Sequence, residues 1–311
     1  MTDAFRIHRP QGTPKSLVFD SPHSGSIYPD DFGHSIDRMI LRRSEDAHVE
    51  ELFSGVTDHG ATLLHALFPR SYIDPNRNED DIDVTMLDAE WPHAINPTSK
   101  TLERGVGLIW KDMKALGPIY DRKLSVAEVS QRIVEYWRPY HAALADLIDA
   151  AHASHGCVLH IDCHSMASMG DRTTEDGAVP RPDFVVSDRE GTTCAPRILK
   201  CVVNYLRNCG FTVSINDPYK GFELVRRHGR PAEGRHSLQI HIKFAGDWLT
   251  MAEMDNVHNE ELLSAIKFLS KRLIDGMEPF YRGEGLGEMR AGKLDKNGML
   301  KGSEQTTTFG D

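Results

Sequence analysis

Short apolar runs that stop at polar, turn-forming residues recur along this chain. Leu17-Val-Phe19 stops at Asp-Ser-Pro-His23-Ser-Gly, and the run that begins at Cys157 stops at Asp162-Cys-His164-Ser. Such runs predict buried strands that break into turns. Because ligands bind at the carboxyl ends of strands in α/β sheets, we expect His23 and His164 to lie in one site.

Apolar residues at helical spacing alternate with these strands. They predict helices over residues 37–59, 125–154 (kinked at Pro139), 192–208 and 256–277. Further strands are expected over 61–67, 184–187, 211–215 and 237–244, and residues 70–77 are expected to form a short strand that ends in a polar turn. Long loops are expected over 78–105 and 218–233. The alternation predicts an α/β fold, a single domain over residues 1–281 whose central mixed, mostly parallel sheet is flanked by helices, followed by a Gly-rich polar tail over 282–311.

Composition narrows the classes of partner. The 311 residues carry a net charge of −10 that is spread along the chain, which argues against nucleic acid as a partner. No apolar run reaches the roughly 18 residues of a membrane span, and the N-terminal stretch lacks the apolar segment of a secretory signal, so we expect a cytoplasmic protein without a membrane partner. Five cysteines without a CxxC pair argue against a disulfide framework or a structural zinc knuckle. Nucleotide-binding glycine motifs are absent. The sequence leaves the oligomeric state open.

The two strand-end histidines suggest a metal site. Zinc takes histidine nitrogens and carboxylate oxygens, and a catalytic zinc site has three protein ligands and a water. His23 and His164 supply the nitrogens of one expected Zn²⁺ ion, and Asp46, with Glu45 next, is the expected carboxylate near a helix start. Asp162 lies on the same strand face as His164 and is suited to orient it. Since the chain has 16 histidines, most of them must be packing or surface residues, and spacing alone does not specify a metal.

Arginines are the expected anchors for a substrate carboxylate, because the guanidinium fork matches a carboxylate bidentately. Arg70 and Arg77, with Asn76, are the first candidates; the second group is Arg226, Arg227 and Arg230. Ser24 and Ser165, next to the two histidines, are further substrate-binding candidates. A serine hydrolase at either residue is the weaker interpretation, because the chain has no GxSxG motif.

Several motifs, in one order, resemble the N-formylglutamate amidohydrolase (N-formylglutamate deformylase) family. They are Ser21-Pro-His-Ser-Gly25 with Tyr28-Pro29, residues 70–77, Asp162-Cys-His-Ser-Met166, and the stretch from Asp217-Pro-Tyr-Lys-Gly221 to Gln239. The resemblance implies a zinc-exopeptidase-like (phosphorylase/hydrolase-like) fold. It implies hydrolysis of an N-formyl amino acid, with N-formyl-L-glutamate as the first candidate, as the last step of one histidine-degradation route. It also implies the metal ligands His23, Asp46 and His164 and a substrate-carboxylate contact by Asn76 and Arg77.

One departure from the family concerns the general base. Members of the family usually carry Gln-Ile-Glu-Ile where this chain reads Gln239-Ile-His241-Ile, and the glutamate is the natural base. We expect His241 to take this role, with Glu233 and Glu223 in the preceding loop as fallback bases. The usual Leu-Tyr-Met-Asp-Glu also reads differently here, over residues 248–253. Two alternatives follow: a related zinc amidase or carboxypeptidase-type hydrolase on another N-acyl amino acid, and a catalytically impaired, ligand-binding relative.

Overall fold

A computed structural model describes residues 3–113, 116–170, 174 and 176–243. Among these residues, one sheet contains the strands β1 (Phe5–His8), β2 (Leu17–Ser21), β3 (Thr62–Ala66), β4 (Val158–Met166), β5 (Phe184–Ser187), β6 (Val213–Ile215) and β7 (Arg235–Lys243). Their spatial order is β1-β3-β2-β4-β7-β5-β6. The four central strands are parallel, whereas β1 is antiparallel to β3 and β5 to β7. The predicted single-domain α/β fold with a mixed sheet is confirmed.

Helices cover both faces of this sheet. They are α1 (Arg38–Leu41), α2 (Val49–Leu52), α3 (Ser99–Arg104), α4 (Val126–Arg132), α5 (Arg138–His155), α6 (Pro196–Asn208) and α7 (Glu223–His228). A π-helical segment, Ile133–Trp137, joins α4 to α5 directly before Pro139. No helix in the described parts of the chain has both the length and the apolar character that crossing a membrane requires.

The alternation of side chains along β2 explains why helices are needed on both faces. Val18 packs in one apolar cluster with Tyr140 and Leu144 of α5. Leu17 and Phe19 point the other way, into a second cluster that includes the buried side of α6. A strand that is buried on both faces reads as a continuous apolar run, which is the pattern from which β2 was predicted.

Three predicted elements differ in the structure because contacts distant in sequence override local propensity. The helix expected over 37–59 is broken: between the short helices α1 and α2, the amide of Asp46 donates to the carbonyl of His23 at 2.9 Å, and His48 has a φ of 62°. Residues 70–77, expected as a short strand that ends in a polar turn, form a turn from the start. The strand expected to end at Ile161 continues to Met166, because β7 pairs with it along its whole length.

Smaller differences concern the loops and termini. The expected loop over 78–105 contains α3, capped by the side chain of Thr98, and the expected loop over 218–233 contains α7. β1 is an unpredicted, half-buried edge strand. The helix expected over 256–277, the stretch 248–253 and the tail over 282–311 lie outside the described residues.

Helix α5 fixes the polar turn at residues 75–77. The indole of Trp137, just before α5, donates to the carbonyl of Arg77 at 3.0 Å. The Nε2 of His141 donates to the carbonyl of Pro75 at 2.8 Å. Because both donors belong to one long buried helical region, this turn has a defined position over the sheet edge.

We predict that Gly25→Ala destabilises the fold. A Cβ at Gly25 would collide with the backbone carbonyl of Phe68, which cannot move as a side chain would. We expect a loss of about 1–3 kcal/mol in the free energy of unfolding, measured by urea denaturation. Gly12→Ala is the matched control, since a Cβ there meets nothing within 4 Å, and it should change stability by less than about 0.5 kcal/mol. Equal stabilities of the two variants would contradict the close approach.

A histidine pair links β1 to β3. His65 is buried, and its Nδ1 lies 3.2 Å from Nε2 of His8. Burial, together with the neighbouring His8 and Arg6, lowers the pKa of His65 from 6.5 to about 4. The folded protein therefore holds this imidazole neutral in a range where the unfolded chain protonates it.

We predict that His65→Gln reduces the loss of stability in mild acid. As the pH falls from 6.5 to about 4, the unfolded wild-type chain binds a proton at His65 that the folded chain does not, so stability falls in this window. In the variant, the slope of the free energy of unfolding against pH should be smaller by roughly 1 kcal/mol per pH unit, measured by urea denaturation between pH 6.5 and about 4. The exposed His93→Gln is the control. An unchanged slope in the His65 variant would show that the pair does not carry this penalty.

Candidate metal centre

His23, Asp46 and His164 come together at the carboxyl edge of the sheet. His23 follows β2, His164 lies on β4, and Asp46 lies in the turn before α2. One ligand atom from each lies within 4.8 Å of the others, and all three residues are buried. The Oδ2 of Asp46 lies 2.9 Å from Nδ1 of His164 and 3.6 Å from Nδ1 of His23. These residues form the candidate metal centre.

Each histidine of the centre has a second carboxylate on its other nitrogen. The Nε2 of His23 lies 2.8 Å from Oδ1 of Asp74, and the Nε2 of His164 lies 2.8 Å from Oδ1 of Asp162. Since the ionised carboxylate of Asp74 can only accept, the Nε2 of His23 carries a proton, and on both rings Nδ1 faces the other candidate ligands. The Nδ1 of His23 is buried without a hydrogen-bond partner among the described residues. Metal-bound histidines are oriented in this way.

The electrostatics of the centre favour a cation. Burial alone lowers the pKa of the His164 imidazole, but the carboxylates of Asp162 and Asp46 outweigh it and raise the pKa to about 10. Burial also opposes the ionisation of Asp46, yet the hydrogen bond from His164 and the nearby imidazole of His23 hold its pKa below the usual range. Two imidazole nitrogens and one carboxylate oxygen are a donor set that zinc accepts. The residues present therefore fit a divalent metal ion.

Asp74 connects the centre to the neighbouring cations. Besides His23, its carboxylate accepts from Nε and Nη2 of Arg70 at 3.2 and 3.0 Å and from the indole of Trp110 at 3.2 Å. The amide of Asn76 donates to it at 2.9 Å. Burial raises the pKa of Asp74, but Arg70 and His23 reverse that effect and hold it well below the usual value. Asp74 is thus an ionised, buried carboxylate.

The candidate ligands open into a cleft of about 390 Å³. Five basic side chains lie in its wall: Arg70, Arg77, Lys100, Arg189 and Lys220. The loop after β6 adds residues 218–222, and β7 adds Gln239 and His241. The lining is therefore rich in cations outside the candidate metal centre.

The predicted substrate-binding residues fall into two groups. Arg70, Arg77, Asn76 and Ser165 line the cleft. The Nδ2 of Asn76 lies 3.2 Å from Nε2 of His164, and its Oδ1 accepts from the amide of Leu224 at 3.0 Å. Ser24 is outside the lining, and its hydroxyl accepts from Ser21 at 2.9 Å.

The cleft lining does not include the second arginine group (Arg226, Arg227 and Arg230) or the fallback bases Glu223 and Glu233. The carboxylate of Glu233 is exposed and pairs with Arg230 at 3.1 Å. Glu223, although buried, pairs with Arg226 at 2.7 Å and with Arg227 at 2.8 Å. The fallback bases and the second arginine group therefore neutralise one another.

His241 lies beside the candidate centre. It sits opposite His164 in the β4–β7 register, and its ring stacks between those of His164 and Tyr219 at centroid distances of 4.9 and 4.1 Å. Its Nδ1 is buried without a hydrogen-bond partner in the described parts of the chain. Burial, together with the neighbouring His164, lowers the pKa of His241 well below 6.5. The ring is therefore a neutral imidazole.

The site includes Asp74, Tyr219 and Arg189, for which the sequence predicts no role. Asp74 and Tyr219 lie within runs that carry the family resemblance, residues 70–77 and 217–221, so a signal for them existed. Arg189 lies in none of these runs. Its neighbours, Asp188, Glu190 and Gly191, read as an ordinary polar turn.

Comparison with known proteins identifies the family of this chain. The family model for N-formylglutamate amidohydrolase matches residues 15–245. The N-formylglutamate deformylase of Pseudomonas putida is 26% identical over 228 residues, and that of Pseudomonas aeruginosa is 25% identical over 233 residues. Each alignment covers 73% of this chain and 79% of the relative.

Solved structures give the same result. The crystal structure of N-formylglutamate amidohydrolase from Ralstonia eutropha JMP134 is 43% identical with a TM-score of 0.82, covering 90% of this chain and 99% of that one. A protein of Agrobacterium tumefaciens, 17% identical with a TM-score of 0.64 over 93% of this chain and 97% of that one, shares the fold. The chain therefore belongs to the N-formylglutamate amidohydrolase family.

Proposed function

We propose that this protein hydrolyses the amide bond of an N-formyl amino acid, with N-formyl-L-glutamate as substrate and glutamate and formate as products. The observation that carries the proposal is the His23, Asp46 and His164 cluster in the wall of a cleft that also presents guanidinium groups. Membership of the family and the names of the related deformylases support the same reaction. Zinc as the metal is part of the proposal.

In this proposal His23, Asp46 and His164 hold the metal ion. When bound, a zinc ion supplies Lewis-acid polarisation of a carbonyl group and eases the ionisation of water. Asp74 and Asp162 keep the two imidazole rings in the orientation that presents Nδ1. The side-chain amide of Asn76 donates to Oδ2 of Asp162 at 3.4 Å and thereby restrains the carboxylate that orients the second ring.

Arg70 and Arg77 contribute positive charge on the substrate side. Arg70 donates from Nε and Nη2 to Asp74. Its Nη1 lies 4.0 Å from Oδ1 of Asp46, next to the candidate metal centre. We assign to this guanidinium group the stabilisation of the oxyanion that develops on the carbonyl oxygen. Arg77 donates from Nε to the carbonyl of Val106 and from Nη1 to the carbonyl of Asn76. We assign to Arg77 the binding of the α-carboxylate of the substrate.

His241 is the proton carrier in this scheme. Water attacks the formyl carbon, the C–N bond breaks, and the proton that the water loses reaches the departing amine nitrogen through the imidazole. The lowered pKa keeps His241 neutral and able to accept a proton, but it also makes the ring a weak base. Catalysis by this residue should therefore be slower than by a base with a pKa near neutrality.

A second candidate function is ligand binding with impaired catalysis. One observation favours it: among the described residues that line the cleft, the carboxylates are those of Asp46 and Glu190. Asp46 is a proposed metal ligand, and Glu190 pairs with Lys220 at 2.7 Å. The lining thus offers no unpaired carboxylate in place of the glutamate that the family usually carries at position 241.

The experiment that tests the proposed function combines turnover with metal content. We expect the purified protein to contain about one zinc per chain and to release formate from N-formyl-L-glutamate in a chelator-sensitive reaction. His23→Ala should lose the zinc, and its kcat/KM should fall by more than about 100-fold, beyond the loss typical of an outer-shell partner. The control His93→Ala, exposed and outside the cleft, should keep both. A fully active His23→Ala variant without metal would refute the proposal.

Substitution of His241 separates the two candidate functions. If His241 carries the proton, His241→Gln should lower kcat by about 10²- to 10⁴-fold with little change in KM. His236→Gln, a buried histidine of the same strand outside the cleft lining, is the control for a loss caused by packing. If the protein instead binds a ligand with impaired catalysis, we expect negligible turnover by the wild type. In that case His241→Glu, which restores the carboxylate, should raise kcat of the zinc-loaded protein.

A further inference from the structure

Arg189 enters the cleft from a constrained turn after β5. Arg189 and Glu190 are consecutive non-glycine residues in the left-handed region, with φ of 51° and 58°, and both line the cleft. The turn is held by Oδ1 of Asp188, which accepts from the amide of Gly191 at 2.9 Å and from Nδ2 of Asn216 at 2.8 Å. Such backbone is costly for residues with side chains and is concentrated at functional sites.

The guanidinium of Arg189 is largely uncommitted. Its Nη1 donates to the carbonyl of Gly221 at 3.3 Å, and no carboxylate of the described residues lies within 4 Å of it as an ion-pair partner. The adjacent Glu190 pairs with Lys220 instead. Arg226, nearby in space, by contrast binds Glu223 bidentately through Nε and Nη2. Burial and the charge of Arg226 lower the pKa of Arg189, and the carboxylates of Glu223 and Glu190, which are not within ion-pair distance of it, offset this only in part.

Arg189 and Arg77 reach the same segment of the cleft wall. The guanidinium carbon of Arg77 lies 4.5 Å from the ring centroid of Phe222, and Arg189 binds the carbonyl of the preceding residue, Gly221. Arg77 is buried beside Asp74, whereas Arg189 is half-buried. Arg77 already has Asp74 beside it, so a ligand whose single carboxylate binds Arg77 leaves Arg189 without an ion-pair partner. A ligand with a second carboxylate supplies that partner.

We propose that Arg189 binds the side-chain carboxylate of the substrate and thereby selects N-acyl derivatives of acidic amino acids. This inference rests on the proposed function, in which Arg77 binds the α-carboxylate. Arg189 is then the residue that distinguishes glutamate from its neutral isostere glutamine. The two substrates differ only at the end of the side chain, where glutamate has a carboxylate oxygen and glutamine has an NH2 group. This is the end that Arg189 contacts in the proposal.

The test is the ratio of kcat/KM for N-formyl-L-glutamate to that for N-formyl-L-glutamine. Wild-type protein should prefer glutamate, and Arg189→Gln should lower kcat/KM for glutamate by about 10- to 100-fold, mainly through KM, because a charge-assisted hydrogen bond is lost. Turnover of the glutamine compound should stay within about 3-fold of wild type, since that compound offers no charge to the lost guanidinium. An equal loss on both substrates, or no loss on either, would overturn the inference.

Arg226→Gln is the matched control, because it removes a neighbouring positive charge that does not line the cleft. It should leave the glutamate preference unchanged. If Arg226→Gln loses as much of the preference for N-formyl-L-glutamate as Arg189→Gln does, the overall positive electrostatic field, rather than a contact with Arg189, selects the substrate.

A binding measurement separates this inference from the proposed function. If wild-type protein hydrolyses neither compound, the proposed function fails, and calorimetric titration of the same two compounds still tests Arg189. Tighter binding of N-formyl-L-glutamate by wild type, with the preference lost in Arg189→Gln, would support the role of Arg189. Equal affinity of wild type for the two compounds, or a preference that survives the substitution, would refute it.

Discussion

The ionised carboxylate of Asp74 is the interaction on which the candidate site depends. It is fully buried and accepts from an imidazole, a guanidinium, an indole and a backbone amide. An unpaired charge at this depth would cost several kcal/mol, on the order of the whole stability of a domain. The turn over residues 70–77 therefore exists in this form because its donors surround one anion. The same anion fixes His23 and Arg70 relative to each other.

The sheet supplies the second constraint, which is register. In the parallel pair β2 and β4, Asp20 lies opposite Asp162, so the residues that follow reach the same edge. A buried hydrogen-bond network beneath the site locks this register. The carboxylate of Asp20 accepts from His160 at 2.8 Å and from the hydroxyl of Tyr140 at 2.7 Å, which joins β2, β4 and α5. Networks whose members are all satisfied are rigid, so the two histidines are held by both strands and helix.

The sequence was sufficient for those parts of the site that depend on local pattern. His23 and His164 follow from apolar runs that stop at polar residues, and the parallel sheet follows from the alternation of elements. The surroundings of Asp46 were predicted as a helix and are a turn, because the backbone bond to His23 and the left-handed conformation of His48 come from tertiary contacts. Those contacts leave no periodic trace in the sequence. The turn around Asp74 was mistaken for a strand for the same reason.

The arginines show where more could have been read from the sequence. Glu223 precedes Arg226 and Arg227 by three and four residues, and Arg230 precedes Glu233 by three, spacings at which helical side chains pair. That spacing indicates mutual neutralisation, and the structure places these groups outside the cleft lining. Arg189 is next to Glu190, a spacing at which helical side chains do not face each other, and Glu190 pairs with Lys220. Its uncommitted guanidinium follows from the turn conformation, which only the structure reveals.

Negative and positive charge are separated within the site, and in the proposed function this separation orients the substrate. The carboxylates of Asp46, Asp74 and Asp162 surround the two histidines of the candidate metal centre, and Asp74 also neutralises Arg70. Arg189 lies beyond these anions and lacks an ion-pair partner among the described residues. In the proposed function, the side-chain carboxylate of the substrate is repelled by this anionic shell and attracted to Arg189. The neutral formyl group is then the end of the proposed substrate that approaches the histidines, so the same field that favours a metal ion would also orient the amide bond towards it.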